Sequence, residues 1–444
     1  MPGWRRHRLV LGLFLHLRSG IIQSKRMAGS SLDLKSRMFA VEPSKYSPNP
    51  FYFTLCSHGP QAPSMDPNDW PMLPPGGLAF SVCVTKGQRV KTTRLHKSLG
   101  LQLSEELPGS QILKLVSYNP ENLHESLEKG FFILPPPGCP DAERRLCDVL
   151  MEYRKDIQLC GYKREEEPEI WQCLWDLDGG AKEITRSKVT RVEEPVSSPF
   201  VDSIKGSAVF YSLEDACDVL EESSTVIPEA KKVLASMEQH RHSERGPFPI
   251  IVIEGLDATG KTTLTESLRS HLKAELLRSP PGSINQWRSI FDSESSLIKR
   301  AYYAVGNYIG AAEIAKASKT SPVIMDRFWH STAAYAIATE IGGGIHNLPD
   351  PHHDVYHWPD DLLKPDLVIL LTVSDEERIR RIRTRGLQET KEEKELEANN
   401  MFRQRVEEVY KRMEDPRCVI LDASPSMEKV LQEALTVIKK HCNI

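Results

Sequence analysis

Hydrophobic and polar positions follow two different patterns along this chain, and the change falls near residue 248. Beyond it, short apolar runs alternate with stretches of helical period. Pro249–Glu254 reads as a buried strand, Lys261–Lys273 as a helix, Ala274–Leu277 as a second strand and Leu297–Ser318 as a long helix. Pro322–Met325, Asp366–Val373 and Cys418–Leu421 supply three more strands, with helical sequence over Arg327–Ile341, up to about Arg383, and over Met427–His441. Gly342–Pro359 is rich in Gly, His and Pro and reads as a loop. Strands alternating with helices imply parallel pairing through right-handed crossovers, hence an α/β domain on a five-stranded, doubly wound parallel sheet. Ligands bind such sheets beyond the carboxyl ends of the strands.

Before residue 248 the pattern is less regular. Prolines crowd residues 43–75, strand-like pieces follow at Leu78–Thr85 and Gln111–Tyr118, and helical stretches at Pro140–Tyr153 and Leu213–Leu220. Ile170–Trp175 has the composition of buried packing. We read residues 40–240 as an α+β region without a catalytic motif or internal repeat, and the polar tract Gln239–Pro247 as a linker to a domain over 248–444.

Composition narrows this only at a few points. With 444 residues, 40% hydrophobic, 27% charged and a net charge of -4, the chain has the make-up of a soluble multidomain protein and not of a strongly cationic nucleic-acid binder. No apolar run approaches the roughly 18 residues of a membrane span. The nine cysteines are odd in number and contain no Cys-x-x-Cys pair, which argues against a disulfide framework or a Cys-type zinc site and for buried, inert thiols. The first thirty residues carry Arg5, Arg6, Arg8, Arg18, Lys25 and Arg26 and no acid, with an apolar side over Leu9–Leu15. This reads as a mitochondrial presequence. A secretory signal and a basic tail without an address are the alternatives, though the apolar run is short, His16 and Arg18 interrupt or follow it, and no clear small-x-small cleavage site follows.

The strongest chemical signal is Gly255-Leu256-Asp257-Ala258-Thr259-Gly260-Lys261-Thr262, set between a strand and a helix. Glycines there let backbone N–H groups approach phosphate oxygens, and the helix N-terminus adds a favourable dipole. Lys261 sets a charge on the β and γ phosphates of a nucleotide, and the Thr262 hydroxyl is a ligand for Mg²⁺. ATP and Mg²⁺ are therefore the expected cofactors. Asp326, closing an apolar strand, is the second candidate for Mg²⁺, and Arg327 beside it can grip a phosphate; the plainer alternative is a helix start. Arg378, Arg380, Arg381, Arg383 and Arg385 precede the acidic run Glu389–Glu397. Either this is a solvated helix with charges paired along it, or a lid whose arginines, Arg381 and Arg385 foremost, close on the transferring phosphoryl group. His346, His352, His353 and His357 raise a zinc site against a surface loop, and the prolines among them and the lack of a nearby cysteine favour the loop.

Ile253-Glu254-Gly255-Leu256-Asp257-x2-Gly260-Lys261-Thr262, Asp326-Arg327-Phe328-x2-Ser331-x2-Ala334-Tyr335 and Leu421-Asp422-Ala423-Ser424-Pro425 resemble the motifs of the thymidylate-kinase family, over about residues 248 to 441. The resemblance implies a P-loop nucleoside monophosphate kinase, with Asp257 near the acceptor sugar, Arg327 on the acceptor phosphate and Tyr335 in the substrate site. The chain also departs from that family. Its Phe-x-x-Asn-Arg stretch reads Ala304-Val305-Gly306-Asn307-Tyr308, and its Phe-Pro-x-Arg clamp reads Ser279-Pro280-Pro281-Gly282. Both base-reading residues and the clamp arginine are replaced. Arg288 is then the candidate for the acceptor phosphate, Asn307 and Tyr308 are candidates for the base site, and either Tyr303 or Tyr308 can restore stacking. Gln286-Trp287-Arg288, Gly306-Asn307-Tyr308-Ile309 and Arg327-Phe328-Trp329-His330-Ser331-Thr332 resemble a mitochondrial branch of the family that phosphorylates other pyrimidine monophosphates, chiefly dUMP, dCMP, UMP and CMP. Thymidylate kinase proper and a nucleotide-binding module without catalysis are the alternatives. The expected partner is the monophosphate substrate, with no nucleic acid; an oligomer through the kinase half stays open.

Overall fold

The structure, a computed structural model, describes residues 37–44, 48–56, 73, 77–85, 87–139, 141–164, 169–178, 182–195, 198–239, 244–385 and 399–442. The expected presequence lies outside the described residues. The chain forms two compact units and passes between them more than once. One takes in residues up to 41, 52–83 and 106–194; the other takes in 42–51, 84–105 and 195–444.

In the first unit, strands β1 (Met38–Val41), β2 (Phe51–Cys56), β3 (Leu78–Val84), β4 (Gln111–Tyr118), β5 (Glu128–Leu134), β6 (Ile157–Arg164), β7 (Ile170–Asp176) and β8 (Lys182–Arg191) close into a barrel of order β1-β2-β8-β7-β6-β3-β5-β4. Closure comes from β1 pairing antiparallel with β4. Phe39, Phe53, Phe132 and Tyr162 are fully buried and gather in one aromatic cluster, with the rings of Phe39 and Phe53 stacked at 4.8 Å. The Tyr162 hydroxyl would be costly there alone. Ser81 at 2.9 Å and the donating Gln172 amide at 2.7 Å satisfy it. The stretch 40–240 is α+β as expected, since helices Arg89–Glu106, Ala142–Leu150, Leu213–Ser223 and Pro228–Glu238 accompany the barrel strands, and Ile170–Trp175 packs as one of those strands.

The second unit carries the parallel sheet. Its strands β9 (Ile250–Gly255), β10 (Glu275–Arg278), β11 (Val323–Asp326), β12 (Leu367–Thr372) and β13 (Cys418–Asp422) lie in the order β10-β11-β9-β12-β13, all parallel. The register sets Asp326 opposite Ile253 and Leu371 opposite Gly255, so the end of β11 lies beside the start of the phosphate loop. The helices that matter below are α1 (Leu213–Ser223), α2 (Pro228–Glu238), α3 (Lys261–Leu272), α4 (Arg288–Asp292), α5 (Ser296–Ala317), α6 (Trp329–Glu340), α7 (Asp375–Arg385), α8 (Asn400–Arg412) and α9 (Met427–Cys442). Helices α3 and α9 cover one sheet face through Leu264, Leu268, Leu431 and Ile438. On the other side of the unit α5 is buried along most of its length. Two helices that precede residue 248, α1 and α2, pack against α5, so the compact unit that holds the phosphate loop begins well before the linker.

Candidate active site

β9 delivers the phosphate loop. Its last residue, Gly255, has φ +141°, and a Cβ there would stand 2.6 Å from the Leu371 carbonyl of the neighbouring strand. Gly260, at φ +98°, caps α3 in the left-handed region that only glycine adopts cheaply. Lys261 follows at the helix start and is buried. Its ammonium donates to the Leu256 carbonyl at 2.6 Å and lies 3.9 Å from Asp257. Burial and the nearby Arg327 push its pKa down to about 8, against the pull of Asp257 and Asp326. These carboxylates only partly offset the cost of burying the ammonium, and the phosphates of a nucleotide would add further anionic partners. Thr262 and Asp326, the two expected Mg²⁺ ligands, line the same cavity as the loop. An uncharged hydroxyl beside a carboxylate is a donor set that suits a hard cation, so the residues present fit both groups.

Arg327 is held in an unusual conformation, with φ +67°. Its guanidinium donates to Asp257 at 2.6 Å and sits 5.9 Å from the centre of the Tyr335 ring. What holds the backbone is Glu254, which sequence reasoning passed over. This fully buried carboxylate accepts from the N–H groups of Phe328 at 2.8 Å and Ser331 at 3.2 Å, and from the hydroxyls of Ser331 and Tyr410. Burial raises its pKa; the bonds from Ser331 and the charge of Arg327 oppose that. Glu254 therefore caps α6 and fixes the turn that presents Arg327. The signal was available: it is the only charge in the apolar run Pro249–Gly255.

The loop, Asp326 and Arg327 form one end of a cavity of about 670 Å³. Arg288, Lys299, Arg300 and Tyr303 line it further along, with Tyr335 and Phe402. Asp292, at the end of α4, organises this second end. It accepts from the Tyr303 hydroxyl at 2.8 Å and pairs with Arg288 at 3.2 Å and Lys299 at 3.3 Å. On α5, Lys299 and Arg300 lie four and three residues before Tyr303, the spacings that set side chains beside one another on a helix. Asp257, Arg288, Arg327 and Tyr335 are thus brought together as expected. Asn307 and Tyr308 are not: they are buried and do not line the cavity. A further turn along α5 carries them into the packed interior, where the Asn307 amide donates to Thr332 at 3.1 Å and the Tyr308 hydroxyl to Asp361. Of the two tyrosines weighed for stacking, Tyr303 is the one at the cavity.

Helix α7 places Arg381 against the loop. Its guanidinium donates to the carbonyls of Thr259 at 3.2 Å and Ala423 at 2.7 Å, and pairs with Glu377 at 2.6 Å. The Arg385 side chain and the acidic run Glu389–Glu397 lie outside the described residues. Of the loop histidines, His352 and His357 both face Glu414, and no group of three or more metal-binding side chains occurs among the described residues. No helix among them is long and apolar enough to cross a membrane.

A phosphate loop, an Asp-Arg step at the end of the adjacent strand and a cavity that runs on to a second cationic end define a P-loop nucleoside monophosphate kinase. The thymidylate kinase family model matches residues 253–434. Human "UMP-CMP kinase 2, mitochondrial" is 46% identical over 400 residues, 87% of this chain and 89% of that protein. A probable thymidylate kinase of Archaeoglobus fulgidus is 26% identical over 206 residues, 44% of this chain and 97% of that protein. Among solved structures, thymidylate kinase from Candida albicans is similar at 22% identity and a TM-score of 0.36, over 45% of this chain and 93% of that one. The chain belongs to the thymidylate-kinase family, in its UMP-CMP kinase 2 branch. It is a nucleoside monophosphate kinase, and the mitochondrial assignment read from its basic N-terminus is borne out by the human relative.

Proposed function

We propose that the enzyme transfers the γ-phosphoryl group of ATP to the 5′-phosphate of a pyrimidine nucleoside monophosphate (dUMP, dCMP, UMP or CMP) and so supplies mitochondrial nucleotide synthesis. The observation that carries this reading is the cavity itself, lined together by the phosphate loop, by Arg327 and by Arg288 and Tyr303, both of which are bonded to Asp292. The similarity to human UMP-CMP kinase 2 supports the pyrimidine assignment.

Lys261 and the loop N–H groups hold the donor phosphates. Thr262 and Asp326 would hold a Mg²⁺ ion, which would supply positive charge beside the donor phosphates. Arg327, fixed by Glu254, holds the acceptor phosphate in line, and Arg288 and Lys299 add positive charge on the acceptor side. Asp257 bonds the acceptor sugar, and Tyr303 offers the base a ring face. Arg381 is close enough to the loop to reach the donor once it leaves its carbonyl partners. No general base is required, since a phosphate oxygen is already a nucleophile and positioning does most of the work.

The test is turnover of purified protein with ATP and Mg²⁺ against a panel of monophosphates. Diphosphate should form from the uridine and cytidine acceptors and be lost in Lys261→Ala. A preference for dTMP would make the enzyme a thymidylate kinase proper, and no product from any acceptor would leave only a binding module.

A further inference from the structure

Arg378 has the most unusual environment in the second unit. It is 1% exposed, and none of its three guanidinium nitrogens has a hydrogen-bond partner among the described residues. It lies on α7, one helical turn before the buried Ile382 and about 60° around the helix from Arg381. A buried charge without a counter-group is among the costliest arrangements a fold can carry.

The neighbouring helix, α8, holds a carboxylate in a similar position. Glu407 is half-buried, and the charges acting on it are Lys411, Asp375, Arg403 and Arg378. One turn earlier the two helices are already joined. Asp375, at the start of α7, pairs at 2.5 Å with Arg403, near the start of α8. Arg378 lies three residues after Asp375 and Glu407 four after Arg403, and Arg378 acts on the Glu407 charge without a hydrogen bond from its guanidinium.

We propose that Arg378 is a positioning residue for phosphoryl transfer: it pairs with Glu407 when α7 turns about the Asp375–Arg403 contact, and that turn carries Arg381 from the Thr259 and Ala423 carbonyls to the transferring phosphoryl group. In the free protein the Arg378 guanidinium then has no hydrogen-bond partner among the described residues and gains one only in the turned state. Each element contributes separately: the closed Asp375–Arg403 pair sets the pivot, Arg378 and Glu407 set the second position, and Arg381, bonded to the loop backbone, is what moves. The proposal rests on the kinase reading above.

The test uses the full chain carrying Arg378→Met, Glu407→Gln, both, or Arg378→Lys. Thermal unfolding is followed without ligand and with AMP-PNP and Mg²⁺, and kcat and KM are measured with CMP. In the free protein Arg378→Met should raise Tm by a few degrees, since a buried charge without a hydrogen-bond partner is gone. It should lower kcat about tenfold with KM shifted less than about twofold, because only the turned state loses a contact. Glu407→Gln should show a similar kcat loss, the double variant no more than either single, and Arg378→Lys partial recovery. Losses that multiply in the double variant, or a lower Tm with unchanged kcat in Arg378→Met, would overturn the proposal. A wild-type protein without turnover on any acceptor would defeat the kinase reading instead, and the Tm rise would still report on the buried charge.

Discussion

The carboxylate of Glu254 and the backbone N–H of Phe328 are 2.8 Å apart, and this bond ties the strand before the phosphate loop to the turn that presents Arg327. Glu254→Ala would leave the N–H groups of Phe328 and Ser331 and two hydroxyls without their acceptor. We expect a loss of about 2–4 kcal/mol in urea unfolding and a fall in kcat, as Arg327 relaxes from its φ of +67°. Glu254→Gln keeps one acceptor oxygen and should cost about 1 kcal/mol. Equal destabilisation by both variants would show that the carboxylate's bonds are not what holds the turn.

Lys261 makes nucleotide binding a proton-linked event. Its pKa is depressed from 10.5 to about 8 in the free protein. A lowered lysine pKa costs stability wherever both folded and unfolded chains are protonated. This contribution therefore improves as pH rises from about 8 to 10.5, where only the unfolded chain still holds the proton. Phosphates beside the ammonium raise the pKa again. Calorimetric titration with ATP at pH 8, in buffers of different ionisation enthalpy, should report uptake of about half a proton. Lys261→Met should report none.

At the far end of the cavity, Asp292 holds Arg288, Lys299 and Tyr303 together. Asp292→Ala should raise KM for the acceptor at least about tenfold while KM for ATP moves less than twofold, the pattern of lost uniform binding to one substrate. Tyr303→Phe keeps the ring and drops only the bond to Asp292, so its effect on the same constant should be about threefold. A larger effect on KM for ATP than on the acceptor would place the cluster in the wrong subsite.

Asp361 joins Tyr308 of α5 to the start of α1, accepting from the Tyr308 hydroxyl and from the Leu213 N–H at 2.8 Å. Asp361→Ala should cost about 1–3 kcal/mol, and Tyr308→Phe should cost less. Since α1 and α2 cover α5, a fragment spanning only 248–444 should unfold at lower temperature than the whole chain's kinase unit, as differential scanning calorimetry would show. Equal melting would mean that the helices before residue 248 add nothing.

The strands and the phosphate loop were legible because local chemistry decides them. An apolar run ending in Gly255-x4-Gly260-Lys261-Thr262 has one good conformation, and all five strands of the sheet fall where the apolar runs set them. The base end was not legible. Whether Tyr303 or Tyr308 meets the cavity depends on the roll of α5, which is set by packing against α1, α2 and α6 far away in sequence. Tyr302 illustrates this: adjacent to Tyr303, it stacks on Phe291 at 4.4 Å inside the core. The barrel was equally hidden, because Glu128–Leu134 and Lys182–Arg191 each need, besides a sequence neighbour, a partner far back in the chain, β3 and β2 respectively. Helices α2 and α8 were missed for a simpler reason: each buries only a narrow apolar stripe in an otherwise polar sequence.

The kinase unit is assembled from three separate stretches of chain, with the barrel's residues threaded between them. Residues 42–51 and 84–105 leave the ribosome well over a hundred positions ahead of the parallel sheet of the unit they belong to. Such long-range closure slows folding and leaves early segments waiting with exposed apolar faces. The barrel is interrupted by the same two short segments, but all of its strands precede residue 192 and five of them follow one another between 111 and 191. The order of maturation is therefore barrel first and kinase last, so the catalytic unit becomes competent only once the last strand and α9 have arrived.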